Sequence, residues 1–502
     1  MGILLAARKS DLARLQAYQV GKALEEQFPS EEIKYKFRES LGDINQDDPL
    51  WKMPEKGVFT EDFRQGLIDG TWDMVVHSWK DLPVEQEEGT EIVATLPRAD
   101  TRDLFLFKKD QLSQVKKTRC LNIFSSSPRR IYNLTPFFKD YFPGGLEEVS
   151  FESVRGNILT RIRKMIESPQ TQGLIVAKAA IDRLLSVEGE EFDAGKSELK
   201  EYLDQCLWQV LPLSLNPTAA AQGALVVEVA SHREDLKEKL KAIHCQDTWE
   251  SVCEERKILK SYGGGCHQKI GVTQLVRDYG KITFLKGLTD EGETLDKTSM
   301  GLKEPLLDEE DSYPLERDNL SWFKRESIDY KRPSVKGHYV SRANSLPENE
   351  VFDNSHILWT SGLQTWKALA QRGLWVNGSS ESLGESEPLR LEVLERDISW
   401  AKWTHEDSLE SSWSKNVATY RLIPNEETPV IESKKNFFWM SGSSFSQAVK
   451  KNPELIKANH FCGPGSTFKM ISQFLKEKNI DKKPQVLLGY EHWKSLLKKE
   501  KA

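Results

Sequence analysis

Two hydrophobic rhythms alternate over the first hundred residues. Residues 2–7 form an unbroken apolar run that predicts a buried strand, residues 11–27 repeat apolar positions at helical spacing, and residues 33–38 predict a second strand. Residues 62–70 read as a helix stopped by glycine. Residues 73–77 read as a buried strand whose far end carries Ser78, Trp79, Lys80 and Asp81. This is the alternation of an α/β domain, in which polar residues at the carboxyl end of a strand face a ligand cleft. A second block of the same kind begins near Asp103, with strands at 120–124 and 174–177 and a helix starting at 126–134. Strands predicted at 210–215 and 223–229, broken by the segment 217–222, are placed to cross back between two similar domains. From Thr248 the pattern changes to a helix through 254–259, then the glycine run Gly263, Gly264 and Gly265, then an antiparallel pair, 270–275 and 282–288, with its turn at 289–293. The charged, proline-bearing stretch 303–336 predicts surface loop, a terminal helix and a linker, with a boundary near 335.

Beyond that boundary the texture differs, because eight of the chain's 14 tryptophans follow it. This part also repeats itself: HILWTSG from His356 and FFWMSG from Phe437 each precede a helical stretch, as two related strand-loop-helix units would.

A chain of 502 residues has room for about three or four compact cores. Its 38% hydrophobic and 29% charged residues describe a globular protein, and its net charge of -7 gives no general reason to bind nucleic acid or an acidic membrane. Six cysteines without a CxxC pair point to a reducing compartment. The opening apolar run is cut short by Arg8 and Lys9, and nowhere do about eighteen apolar residues run together. The expected location is therefore the cytoplasm, and the expected state a monomer. No spacing suits a metal.

Four clusters carry candidate chemistry. Arg8, Lys9 and Ser10 follow the first strand. Lys80 and Asp81 pair an ammonium with a carboxylate at a strand end before Pro83, and such a carboxylate can act as a general acid or stabilise a cation. Ser125, Ser126, Ser127, Arg129 and Arg130 lie at a strand-to-helix turn, where free N–H groups, hydroxyls and guanidinium forks suit an anion. Arg155, Gly156 and Arg161 follow in VRGNILTR, so several arginines around one cleft predict a polycarboxylate or phosphate ligand. The fourth cluster is Cys266, on a loop behind three glycines, exposed enough to be a nucleophile or an attachment site.

These clusters, in this order, resemble the hydroxymethylbilane synthases, also called porphobilinogen deaminases. The resemblance spans roughly residues 1–330 and rests on AARKSDLARLQA, KGVF, VHSWKDLP, SSSPRR, VRGNILTR, AAAQGAL and ERKILKSYGGGC. It implies two α/β domains like periplasmic binding proteins, residues 1–102 with 200–223 and 103–199 with 224–247, plus a small α+β third domain over 248–335. It also implies a dipyrromethane cofactor joined to Cys266 by a thioether, and stepwise condensation of four porphobilinogen molecules with release of ammonia to give linear hydroxymethylbilane. Asp81 would then be the catalytic carboxylate. Arg8, Ser10, Ser78, Lys80, Ser125, Ser126, Ser127, Arg129, Arg130, Arg155, Gly156, Arg161 and Gln222 would bind acetate and propionate groups, and Lys52, Lys56 and Phe59 would belong to a lid over the cleft. The chain departs from the family pattern at Leu41, Pro54, Glu55, Asp11 and His267.

Residues 338–502 resemble uroporphyrinogen-III synthase in YVSRA, in the tract from Trp359 to Glu385, in WMSGSS and in CGPGSTFKMISQFL, and so predict an additional α/β domain. That domain is either a second enzyme that cyclises the bilane, or a reduced, noncatalytic module; its candidate binding hydroxyls are Thr360, Ser361, Ser441, Ser466 and Thr467. For the whole chain the competing class is a noncatalytic anion- or tetrapyrrole-binding protein of the periplasmic type, which would need no tethered cofactor.

Overall fold

The computed structural model describes residues 2–39, 61–85, 88–264, 268–301, 305–316, 322–428 and 430–498. The chain divides into two compact units, Met1–Gly301 and Leu302–Ala502.

The first unit begins with strands β1 (Ile3–Arg8), β2 (Ile33–Arg38), β3 (Met74–Ser78) and β4 (Thr90–Thr95), followed by β5 (Asp103–Lys108), β6 (Cys120–Phe124), β7 (Glu148–Glu152), β8 (Gly173–Ala177), β9 (Cys206–Val210) and β10 (Leu225–Ala230). They form two five-stranded sheets of one design, β2-β1-β3-β10-β4 and β7-β6-β8-β5-β9. In each sheet three strands run parallel, and the fourth in spatial order is antiparallel to both of its neighbours. Sequence alternation explains the layers of the first lobe. Leu5, Ala7, Met74 and Val76 face the helix Asp11–Gln27, whereas Ala6 and Val75 face the helix Glu61–Ile68 through Phe63 and Leu67. In the second lobe Phe105 and Phe107 pack on Phe138 and Phe142 of the helix Pro128–Tyr141 and its end.

Two corrections concern boundaries. Residues 200–223 were expected in the first domain and 224–247 in the second, but β9 completes the second sheet and β10 sits inside the first. The second lobe is thus one continuous stretch, and the first is closed by chain that returns after it. The segment 211–215, expected as strand, carries no strand; the chain instead crosses between lobes there, beside the outgoing segment 96–102. The crossovers touch where Ala99 N donates to Gly223 O (3.3 Å). Gly223 has φ +86°, and a Cβ there would lie 2.9 Å from the Ala99 carbonyl oxygen. Gly223→Ala is therefore expected to destabilise the first unit by about 2–4 kcal/mol, from left-handed strain plus overpacking, read as a lower urea midpoint.

The helix Gln246–Ser261 then packs on a three-stranded antiparallel sheet of β11 (Gly271–Arg277), β12 (Gly280–Leu288) and β13 (Thr294–Met300); the turn at 289–293 joins β12 to the third strand, which was not expected.

Among the described residues the second unit holds a two-stranded parallel sheet, Leu307–Asp308 with Leu497–Lys498, and two larger sheets. One orders the strands Phe323–Ser327, Ser414–Pro424, Trp400–His405, Gly337–Val340, Ile357–Thr360 and Gly378–Ser379, parallel except at the first pair; the other orders Ser312–Tyr313, Asn436–Trp439, Asn459–Cys462 and Gln485–Val486, all parallel. Residues 307–327, expected as loop and terminal helix of the third domain, instead lend strands to this unit, since Phe323–Ser327 pairs with Ser414–Pro424. Both repeats form strand-loop-helix units, with helices Leu363–Gln371 and Gly442–Lys451. A second recurrence has no counterpart in the sequence reading. Trp403 Nε1 donates to His338 Nδ1 (3.1 Å) and Trp439 Nε1 to His460 Nδ1 (3.0 Å), each histidine lying two residues before the tryptophan's register partner. No helix among the described residues is long and apolar enough to cross a membrane.

Candidate active site

The site is built where strand ends of the two lobes meet one another. β3 ends at Ser78, and one tight helical turn, Trp79–Asp81, then presents Lys80 and Asp81. Trp79 anchors that turn: it is buried among Ala221, Ala224, Val226 and Val252, and its N–H donates to Ala224 O (3.1 Å). From the helix Gln246–Ser261, Arg256 donates to the carbonyls of Trp79 (3.3 Å), Leu82 (3.2 Å) and Pro83. Lys80 is thereby held half-buried while Asp81 stays exposed. Arg8 ends β1, one strand away, and Ser10 precedes the first helix without capping it through its hydroxyl.

On the second lobe the serine cluster shapes the backbone. Ser127 caps the helix Pro128–Tyr141 by accepting from Arg130 N, and the buried Ser125 accepts from Ser127 N (3.4 Å). Ser126 Oγ lies 2.8 Å from Ser153 Oγ, donates to Val154 O and accepts from Val154 N. It clamps the turn that leads to Arg155. Gly156, at φ +116°, reverses the chain there; a Cβ would meet Thr160 Cγ2 at 2.7 Å. Asn157 caps the next helix through Thr160 N, and Arg161 Nε donates to Gly156 O (2.7 Å).

Charges from both lobes share one field. Burial lowers the Lys80 pKa, Asp81 opposes that, and Arg130 adds to it. Burial likewise lowers Arg161, helped by Arg130 and Arg155 and opposed by Asp81. Crowded, part-desolvated cations are a site that favours anions. Two of the predicted ligand arginines also bond within the fold. Arg129 is 4% exposed; it donates to Asn216 Oδ1, Pro217 O and Asp103 Oδ2, at 2.8, 2.8 and 3.0 Å. Arg130 spends Nε and Nη2 on Asp103 and Nη1 on Ile175 O. Gln222, also expected at the ligand, is buried and donates to Thr101 O and Asp103 Oδ1. Asp103, Arg256 and the buried pair Arg98–Glu255, which joins the outgoing crossover to the third domain, were missed by the sequence reading.

Lys52, Lys56, Phe59 and Cys266 lie outside the described residues, as do Leu41, Pro54, Glu55 and His267. Gly264, two residues before Cys266, stands against the chain just past Asp81: a Cβ on it would be 3.6 Å from Val84 Cγ2.

Fold and site together define a two-lobed α/β protein in which cations of both lobes act on one another beside Asp81. The model of the family "Porphobilinogen deaminase, dipyromethane cofactor binding domain" matches residues 3–238. Porphobilinogen deaminases of Desulfitobacterium hafniense and Clostridium novyi are 34% and 31% identical over 54% and 60% of this chain, and 79% and 93% of their own lengths. The chain belongs to the porphobilinogen deaminase family. Among solved structures, the effector-binding domain of a BenM variant aligns with 50% of the chain and 94% of its own length at 13% identity and TM-score 0.26. A periplasmic sulfonate-binding protein of Methylobacillus flagellatus aligns with 48% and 66% at 11% identity and TM-score 0.27.

Proposed function

We propose that the first unit is a working hydroxymethylbilane synthase, a transferase that condenses porphobilinogen and releases ammonia, with Asp81 as its catalytic carboxylate. The observation that carries this reading is the mixed field of the cleft: the Asp81 carboxylate stands among Lys80, Arg130, Arg155 and Arg161. The residues fit a dipyrromethane cofactor, because its carboxylates would oppose the burial, and the added arginine charge, that lower Lys80 and Arg161. Lys80, Arg155 and Arg161 would hold it, with Cys266 as its anchor. When bound, the cofactor supplies the nucleophilic pyrrole carbon to which units are added. The chain's own residues supply the rest. Arginine forks orient the acetate and propionate of the incoming porphobilinogen. Asp81 stabilises positive charge on a pyrrole nitrogen as ammonia departs, and takes up or returns its proton.

The two strand-loop-helix repeats of the second unit support its kinship with uroporphyrinogen-III synthase, whether as a second activity or as a binding module. The test of the main reading is the intact mass of the full chain and of Cys266→Ser, both made in a host that supplies porphobilinogen. The wild type is expected to carry the mass of one dipyrromethane and the variant none. A wild type without the added mass would favour a noncatalytic anion binder.

A further inference from the structure

The carboxylate shared by Arg129 and Arg130 has no part in the chemistry just described, yet it is the most heavily bonded acid beside the cleft. Asp103 opens β5 and is fully buried. It accepts from Arg129 Nη2 (3.0 Å), Arg130 Nε (3.1 Å) and Nη2 (2.7 Å), Asn216 Nδ2 (2.9 Å) and Gln222 Nε2 (2.9 Å). Burial alone would raise its pKa, but the guanidiniums of Arg130 and then Arg129 hold it far below the carboxylate range. It is an anion at every working pH.

The two arginines differ in what remains of them. Arg129 is closed in on both sides by Asn216 and Pro217 of the second crossover, so its side chain is held inside the fold although its charge still reaches Lys80. The Arg130 side chain keeps 12% exposure and acts on both Lys80 and Arg161, across the lobes. Two guanidiniums on one carboxylate leave one unit of positive charge uncompensated, and Arg130 is the more exposed member and the one that also acts on Arg161. The donors Asn216 and Gln222 both come from the crossover, so the same carboxylate joins Arg130 to the segment that connects the lobes.

We propose that Asp103 is a positioning residue for the deaminase reaction: it fixes the Arg130 guanidinium at the cleft wall and ties that position to the second crossover. This rests on the reading of the first unit as a deaminase. Without the carboxylate, Arg130 keeps its charge and loses its fixed plane, which weakens recognition of a substrate carboxylate more than the chemical step.

The experiment is a pair of double-mutant cycles on the cofactor-loaded full chain, measuring KM and kcat for porphobilinogen, with cofactor loading checked by mass and folding by urea titration. Asp103→Asn is expected to raise KM about tenfold, a charge-assisted contact's worth, with a smaller change in kcat. In an Arg130→Gln background the same substitution should change KM less than twofold. In an Arg155→Gln background its full factor should persist. An equal factor in both backgrounds would show a general structural role and overturn the proposal. If Asp103→Asn does not fold, Asn216→Ser, which removes one donor from the carboxylate and keeps its charge, serves in the same cycles with a smaller expected KM change. Its effect must likewise vanish with Arg130→Gln, and if it does not, the proposal falls. A loaded wild type that forms no bilane refutes the deaminase reading itself, and is seen before any variant is compared.

Discussion

Asp81→Ala is expected to lower kcat for bilane formation by about 10³-fold, the range for removing a group that stabilises developing charge and moves its proton. Folding should barely change, because the side chain is exposed and the turn beneath it is held by Trp79 and Arg256 through the backbone; a shift within about 0.5 kcal/mol is expected. The sign of the change in KM separates this role from simple binding. Asp81 opposes the lowered pKa of both Lys80 and Arg161, so removing it leaves the cleft more positive toward a substrate that carries two carboxylates. KM should stay level or fall while kcat collapses. Asp81→Asn keeps the shape and loses the charge, and should behave like the alanine variant. Turnover above a tenth of wild type in either would remove Asp81 from the mechanism.

The second unit should be strongly acid-labile. Burial holds His338 and His460 at a pKa of about 4, against 6.5 for a free imidazole. Both are nearly inaccessible, at 0% and 3% exposure. Each takes up a proton near pH 6.5 when unfolded but only near pH 4 when folded, so the unfolded state binds more protons across that window. Stability is therefore complete above about pH 6.5 and drains away as pH falls toward 4, by roughly 3 kcal/mol per histidine. Burial lowers His405 too, which acts in the same sense. Urea unfolding followed by tryptophan fluorescence should detect the loss directly, since Trp403 and Trp439 donate to these two rings. The midpoint is expected to drop steeply between pH 7 and 4.5. It should drop much less in a variant with both His338→Gln and His460→Gln, although that variant starts lower at pH 7. Equal slopes would mean that the two rings are already protonated in the fold.

Much of the local backbone geometry on both lobes was readable because its signals are local. A buried run ending in Ser78, Lys80 and Asp81, a serine turn before a helix, and a glycine after Arg155 each reveal their geometry within a few residues. What was not legible depends on partners distant in the chain. Arg129 and Arg130 read as ligand forks, and only the fold shows that both also bond to Asp103, 26 and 27 residues earlier. The structural bonds of Gln222 were hidden for the same reason, its acceptors lying some 120 residues away. The exchange of β9 and β10 between lobes escaped because both are uniformly buried, and a strand covered on both faces carries no alternation to say which sheet it joins. Short strands such as Phe323–Ser327, four of five residues exposed, look like linker because pairing alone makes them strands.

The placement of β10 sets an order of assembly. Residues 103–210 contain every strand of the second sheet, so that lobe can close as soon as its own stretch of chain is available. The first sheet cannot: the gap between β3 and β4 stays empty until residues 225–230 exist, and Leu236, Leu240 and Ile243 then seal its core. On the ribosome the lobe that is made first is thus finished last, with two open strand edges waiting through the synthesis of about 130 residues.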